Sequence, residues 1–215
     1  MDDELRRFLA SARGAAATAK ILPFDQLRTR TGELRWGLDA LRGRLVELSA
    51  RGATATTTAA IELVAEAQAQ GEPVAWIASA ASTFYPPDVA DSGIDLAALV
   101  VVRAPDPAAA VRSAERVLRS GAFGLVVIDL PGVSELPMAS QGRLVTLAQS
   151  HDAAVACLTE KAEDTASLGS LVSLRAEAAR GRAGGEFRVT VRALKDKQRG
   201  PGWTHVVSRR GPSGL

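Results

Sequence analysis

The sequence predicts an α/β fold in which helices flank a mostly parallel central sheet that ends in antiparallel strands. Between residues 45 and 158, short apolar runs alternate with helical segments. Such alternation favours a parallel sheet covered by helices on both faces. In the last third, Phe187-Arg188-Val189-Thr190-Val191 alternates apolar and polar residues, as a half-buried strand does. A chain of 215 residues is long enough for one large domain with a substantial core.

The first thirty residues are predicted to form a helix and a linker, and residues 31–215 to form the core domain. Leu5, Phe8 and Leu9 recur at spacings of three and four residues, as on the apolar face of a helix over 2–19. Pro23 blocks continuation of that helix. The apolar stripe is the candidate partner-binding site, because a helix that binds in a groove needs only such an anchor set.

The core elements follow in order after an apolar segment with Trp36 and a turn at Gly43. Predicted strands cover 45–48, 74–78, 97–102, 124–129 and 153–158, and predicted helices cover 57–70, 108–120 and 136–150. Glycines follow the first two helices, and a Pro-Asp-Pro segment precedes the second, as expected of helix stop and start signals. The last strands are predicted over 170–174, 186–194 and 203–208, with 180–185 as the turn between the first two.

Several classes of protein are excluded by composition. No apolar run approaches the ~20 residues that a membrane helix needs, and the acidic N-terminus lacks the pattern of a signal peptide. The single cysteine, Cys157, lies in an apolar run, which indicates a buried thiol in a reducing compartment. His151 and His205 are isolated from other metal-ligating residues. We therefore expect a cytoplasmic protein without a metal site or membrane association.

The net charge of +2 is unevenly distributed along the chain. The segment from Arg175 onward contains ten basic residues and three acidic ones. A basic end favours nucleic acid or an acidic partner, and a solvated surface explains it equally well. The candidate binding residues are Lys195, Lys197, Arg199, Arg209 and Arg210. Trp203 lies among them and either stacks on an unpaired base or packs on the last strands.

A degenerate phosphate-binding loop follows the first predicted strand. A working loop reads G-x-x-x-x-G-K-[ST], with glycines that let backbone N–H groups surround phosphates and a lysine that reaches the β- and γ-phosphates. Alanines replace both glycines here, a threonine replaces the lysine, and only the final hydroxyl is kept. The set comprises Ala50, Arg51, Gly52, Ala55, Thr56 and Thr57, with Asp129 at the end of an apolar strand where a Mg²⁺ ligand would lie. Because the charge-assisted contact of the lysine is lost, we expect neither tight ATP binding nor a nucleotide cofactor.

With this order of strand, loop and helix, residues 34–200 resemble the RecA recombinase core. Residues 43–48 look like the strand that leads into the phosphate loop of that family, and residues 125–129 look like its Walker B strand. Residues 186–191, followed by Lys195 and Lys197, resemble its late strand and the paired lysines that reach a neighbouring subunit's nucleotide. The resemblance implies a RecA-like core.

The departures from that family are informative. The family places a catalytic glutamate after its second strand, where this chain has only alanine and serine at 78–81. The two segments that correspond to its DNA-binding loops are short, and the second, 159–165, is largely acidic. The resemblance therefore implies a pseudo-ATPase without catalytic residues that has lost the recombinase mode of single-strand binding.

Shortened RecA-like proteins with degraded nucleotide motifs are typified by the ImuA family of mutasome accessory subunits. This resemblance implies a non-catalytic adaptor in SOS-induced, error-prone translesion DNA synthesis, and hence in mutagenesis. The implied partners are an ImuB-like inactive Y-family polymerase homologue, RecA, DNA, or a second copy bound through the N-terminal helix. The alternatives are an ATP-binding regulator of recombination and a SulA-like inhibitor of cell division.

Overall fold

In a computed structural model of the chain, the structure describes residues 36–52, 54–183 and 186–210. The strands in these ranges are β1 (Leu45–Ser49), β2 (Val74–Ala78), β3 (Leu99–Arg103), β4 (Leu125–Asp129), β5 (Ala154–Thr159), β6 (Leu174–Ala183), β7 (Glu186–Asp196) and β8 (Thr204–Arg210). The α-helices are α1 (Leu38–Leu41), α2 (Thr56–Ala69), α3 (Pro107–Arg119) and α4 (Met138–Ser150), and 3₁₀ helices cover Pro86–Ser92 and Leu96–Ala98. The predicted N-terminal helix with Leu5, Phe8 and Leu9 lies outside the described residues.

The described strands form one sheet in the order β3-β2-β4-β5-β1-β6-β7-β8. Neighbours from β3 to β6 pair in parallel, whereas β7 pairs antiparallel with both β6 and β8. The predicted α/β class, with antiparallel strands at the C-terminal end, is confirmed. None of the helices in the described ranges combines the length and the apolar character needed to cross a membrane.

A separate apolar core covers each face of the sheet. The first packs α2 against side chains such as Leu48 and Trp76, and the second packs α3 and α4 against side chains such as Ile77 and Ile128. Strands β1, β2 and β5 are buried along their whole length. Burial on both faces makes a strand apolar at every position rather than at every second one, which is why these strands were visible in the sequence.

The third strand begins two residues later than predicted. Residues 96–98 form a 3₁₀ turn instead, and the Asp95 side chain accepts a hydrogen bond from the Ala97 N–H at its start. A short acidic side chain at this position competes with strand pairing for backbone donors. The sequence pattern of Ala97 and Ala98 did not reveal this turn.

The prediction for β6 was wrong. The strand was expected at 170–174 with a turn over 180–185, but it begins at Leu174 and continues to Ala183. Arg180 pairs with Val189 and Arg182 with Phe187, so the polar end of β6 is held in the sheet by β7. Glycine and arginine suggest a turn when read locally, whereas pairing with an adjacent strand determines the conformation here.

A buried ion pair joins the start of β1 to the end of β7. Arg44 Nη2 lies 2.7 Å from Asp196 Oδ1, and Trp203 Nε1 donates to Asp196 Oδ2 at 3.1 Å. Burial would raise the pKa of Asp196, but the Gln198 N–H and the Arg44 charge hold it below its ordinary value. Trp203 is half-buried and packs against the first core, which fits the packing interpretation of this tryptophan.

Candidate functional site

A cleft of about 370 Å³ lies where the carboxyl ends of four parallel strands meet. Ligands in α/β proteins bind outside the carboxyl ends of the strands. The lining residues follow β1, β2, β4 and β5, and they are Thr54, Thr56, Thr57, Ala81, Ser82, Thr83, Phe84, Tyr85, Asp88, Val89, Asp129, Pro131, Leu158, Thr159 and Glu160. Three residues predicted from the sequence, Thr56, Thr57 and Asp129, are thus brought together at one site.

The loop between β1 and α2 is held in place by backbone contacts. The Ala55 N–H donates to the Ala178 carbonyl at 3.2 Å, and Thr54 forms a β-bridge with Ala179. Helix α2 begins at Thr56, so its first N–H groups lie beside the cleft, where they would favour an anion. These contacts join Thr54 and Ala55 to β6.

The other predicted loop residues lie away from the cleft or inside the core. Ala50 and Ala55 are buried, and Gly52 has a φ of +83°, which few side chains tolerate. Arg51 is exposed and is not among the residues that line the cleft. The loop therefore provides the cleft with hydroxyl groups but no basic side chain.

Asp129 is the most perturbed carboxylate of the cleft. Burial raises the pKa of Asp129, a hydrogen bond from Ser82 opposes that rise, and the Glu160 charge adds to it. Ser82 Oγ donates to Asp129 Oδ2 at 2.5 Å. Arg103 lowers the same pKa from nearby, but its Nη2 donates to the Phe84 carbonyl.

The charge of the cleft is negative. Asp88, Asp129 and Glu160 line it, and no lysine or arginine does so among the described residues. Glu160 follows β5 directly. Like charges at short range repel strongly in a partly desolvated site, so these carboxylates would repel a phosphate group that has no neutralising cation.

A second buried ion pair fixes the segment after β5. Lys161 Nζ lies 2.6 Å from Glu47 Oε1 and donates to the carbonyls of Ser134 and Ala166. The Leu168 N–H donates to Glu47 Oε2 at 2.7 Å. The segment after β5 is thus tied to the core.

Arg175 makes further contacts with the same segment. Its guanidinium donates to the carbonyls of Ala162 and Thr165 and to the hydroxyl of Ser49. Arg175 was counted in the basic C-terminal region, but it is buried. It contributes to the internal structure and not to a surface patch.

The five basic candidates do not form one patch. Lys195 and Lys197 lie at the end of β7, and their Nζ atoms donate to Ser167 and Ser170. The backbone of Arg209 pairs with Phe187, at the opposite end of β7. At about 3.3 Å per residue, the two groups are roughly 26 Å apart along the strand. Lys195, Lys197 and Arg199 are therefore one group, and Arg209 and Arg210 another.

Cys157 is wholly buried, and burial raises the pKa of its thiol well above the usual range. It is a packed core side chain, as expected. Within the described ranges, no three residues of the metal-ligating types are close enough to hold an ion.

The polar residues of the cleft that sequence reasoning missed include Ser82, Tyr85, Asp88 and Glu160. Glu160 could have been found, because it directly follows a predicted parallel strand, where ligands collect. The other three come from the segment between β2 and β3, which has no periodic pattern. Only the fold brings that segment to the cleft.

Comparison with known proteins matches the cleft residues other than Leu158, Thr159 and Glu160. A family model described as the RecA N-terminal domain matches residues 34–145. The chain is 34% identical over 88 residues to "Protein RecA" of Chlorobium limicola, which covers 41% of this chain and 25% of that protein. It is 38% identical over 88 residues to "Protein RecA" of a Nocardioides species, with the same shares covered. The matches thus span about a quarter of the length of these relatives.

Proposed function

The chain belongs to the RecA N-terminal domain family, and we propose that it is a non-catalytic member, an adaptor that binds other proteins and does not turn over ATP. The observation that carries the proposal is the charge of the cleft. Asp88, Asp129 and Glu160 line the cleft beside the α2 N-terminus, and its described lining residues include no lysine or arginine. Arg103, which is not a lining residue, lowers the pKa of Asp129.

Two further features support the loss of catalysis. Hydrolysis needs a base positioned to activate water, and the segment after β2 carries only alanine and serine at 78–81. The backbone there is used structurally, since the Ser79 N–H donates to the Asp129 carbonyl at 3.2 Å. The loop that would hold phosphates is also already closed onto β6.

We further propose that the adaptor acts in SOS-induced, error-prone translesion synthesis. This finer role rests on the sequence resemblance to the ImuA family. The proposed partner is an ImuB-like polymerase homologue, contacted through the apolar stripe of Leu5, Phe8 and Leu9. DNA is a further proposed ligand, at the group formed by Lys195, Lys197 and Arg199.

Co-purification with the ImuB-like homologue from the same genome tests the adaptor role. We expect a stoichiometric complex with the full chain, and its loss when Leu5, Phe8 and Leu9 are all replaced by serine. A variant with Val100→Ser is the matched control, because Val100 is an exposed apolar residue of β3, with 44% of its surface accessible. Failure of the unmodified chain to bind would reject the translesion role.

A turnover assay tests the loss of catalysis separately. We expect no ATP hydrolysis above the background of an Asp129→Ala variant. Steady turnover that this substitution abolishes would overturn the proposal and favour an ATP-dependent regulator of recombination.

A further inference from the structure

Strand β8 ends the sheet, so among the described strands only β7 lies beside it. The Ala193 N–H donates to the Trp203 carbonyl at 2.9 Å, which fixes the residues of β8 whose backbone groups face β7. By the alternation of an antiparallel pair, the N–H and C=O groups of Thr204, Val206 and Ser208 point away from β7. Within the ranges that the structure describes, no backbone hydrogen bond outside the sheet uses these groups. The outer side of β8 is therefore a row of free donors and acceptors.

This edge lacks most of the usual protection against strand pairing. Natural edge strands are commonly short, bulged, or interrupted by proline or lysine. Strand β8 has seven residues, pairs with β7 in one unbroken register, and contains neither proline nor lysine. Near its middle lies Val206, with 51% of its surface accessible. A regular edge with an apolar centre is suited to receive another strand.

The face of the sheet that carries Val206 is uncharged along one row. Val206 pairs with Thr190, and Thr190 pairs with Ala179, so the three side chains share one face of the sheet. Ala179 is exposed and Thr190 is half-buried. A strand added beyond Val206 would extend this row without covering a charged side chain in it.

Strand β8 is complementary to itself in one antiparallel register. With Val206 opposite the second copy's Val206, each Thr204 lies opposite a Ser208. All of these pairs use the outward backbone groups, so each is a hydrogen-bonded pair. Threonine and serine side chains hydrogen-bond across such a pair, and the two valines remove apolar surface from water. The strand thus offers a second copy both the backbone groups and the side chains that it needs.

The distribution of charge favours the same antiparallel arrangement. Strand β8 carries two arginines, Arg209 and Arg210, at one end and no acidic residue. In this register they lie opposite the second copy's Trp203 and Gly202, so the arginines of the two copies are at opposite ends of the strand pair. A parallel arrangement in register would set like charges directly opposite one another, which is unfavourable.

We propose that two copies of this chain associate through β8, in a two-fold symmetric antiparallel pair centred on Val206. The interface is isologous, because the same strand contributes to both sides of it. It joins two eight-stranded sheets into one continuous sheet. This inference goes beyond the proposed function, and it differs from association through the N-terminal helix because it uses only residues 202–210.

Sedimentation equilibrium of the full chain over a range of concentrations tests the inference. We expect a reversible equilibrium between monomer and dimer. Val206→Lys sets two lysines opposite each other, so the dissociation constant of the dimer should rise about tenfold. Val100→Lys is the matched control and should leave the dimer unchanged, because Val100 is an exposed apolar residue of the other edge strand, β3. A chain that stays monomeric, or a dimer that Val206→Lys leaves intact, would overturn the proposal.

A mixture of two variants separates pairing across the symmetry axis from a loss of folding. Val206→Glu alone should weaken the dimer as Val206→Lys does. An equimolar mixture of the two variants should form a mixed dimer, because the residue at position 206 meets only its own counterpart at the axis. If the mixture remains as monomeric as its components, the register centred on Val206 is wrong.

Hydrogen exchange at the Val206 amide tests whether a different segment occupies the edge. We expect protection of this amide to increase with protein concentration, since its N–H is bonded only in the dimer. Protection that does not depend on concentration, in a chain that sediments as a monomer, would mean that another segment of the same chain covers β8. That result would overturn the assignment of a second copy.

Discussion

Burial makes the charged form of Asp129 unfavourable. Its pKa is raised by burial first and by Glu160 as well, despite the Ser82 hydrogen bond. An acid whose pKa is raised on folding binds its proton more tightly in the folded state. Folding stability therefore falls as the pH rises from the unfolded pKa through the folded one. Above that window the ionised Asp129 reduces the stability of the protein.

Replacing Asp129 by asparagine should consequently stabilise the protein at pH 7. The amide keeps an oxygen for the Ser82 hydroxyl without the charge, so we expect a rise in Tm of a few degrees. The gain should shrink as the pH is lowered toward 4, where the native carboxyl becomes protonated. Thermal unfolding at both pH values, with Asp91→Asn as control, provides the measurement. A lower Tm at pH 7 for the Asp129 variant would show that the charge is needed for folding.

The pKa of Asp196 is shifted in the opposite direction to that of Asp129. The pKa of Asp196 is held low in spite of burial by the Gln198 N–H and by Arg44. An acid whose pKa is depressed on folding contributes stability above its unfolded pKa, and that contribution is lost as the pH falls through the folded pKa.

Arg44→Met should therefore destabilise the protein by about 3–5 kcal/mol at pH 7, because Asp196 is left buried without its partner charge. The loss should be smaller in acid, where the carboxyl can be protonated. Urea unfolding at pH 7 and at a pH below the ordinary carboxyl pKa of about 4 measures both effects. Arg199→Met, at an exposed arginine, is the matched control and should change stability by less than about 0.5 kcal/mol. An Arg44 variant as stable as this control would refute the account of the pair.

At the scale of elements, the segment after β5 is held in place by buried charged groups. Glu47, Lys161 and Arg175 hold it from inside the protein through charged groups that are themselves buried. Buried charges are costly unless all their partners are in place, so these contacts favour one conformation of the segment.

The amide of Leu168 should accordingly exchange with solvent as slowly as the amides of β5. Its N–H donates to Glu47 Oε2 at 2.7 Å, and exchange requires that contact to open. Hydrogen exchange measured by NMR tests this, and Glu47→Gln should speed exchange at Leu168 more than in β2. If Leu168 exchanges like a free loop amide in the unmodified protein, the segment is not tied down as described.

The central strands that sequence reasoning predicted have symmetric burial, whereas β7 was predicted from its alternating apolar and polar residues. Strands β1, β2 and β5 are apolar throughout because both faces are covered. The outer half of β6 was missed because Arg180, Gly181 and Arg182 are in strand conformation only through pairing with β7. Cleft residues could be predicted where they border apolar elements, as Thr57 and Asp129 do. Asp88 could not be predicted, because it comes from a segment without a periodic pattern.

For the whole molecule, the central claim is that a RecA-family fold persists without a nucleotide. The sheet, its two cores and the buried ion pairs are complete in the chain itself. The loop beside α2 is closed by backbone contacts to β6. We therefore expect the unmodified chain to keep this fold without a bound phosphate.

The most direct test is isothermal titration of the full chain with Mg·ATP. A Thr56→Lys, Glu160→Gln double variant, which restores a lysine at the start of α2 and removes one repelling carboxylate, is the comparison. We predict no saturable heat for the unmodified chain and measurable heat for the double variant. Saturable ATP binding by the unmodified chain would contradict the account and would mean that the altered loop still functions as a nucleotide site.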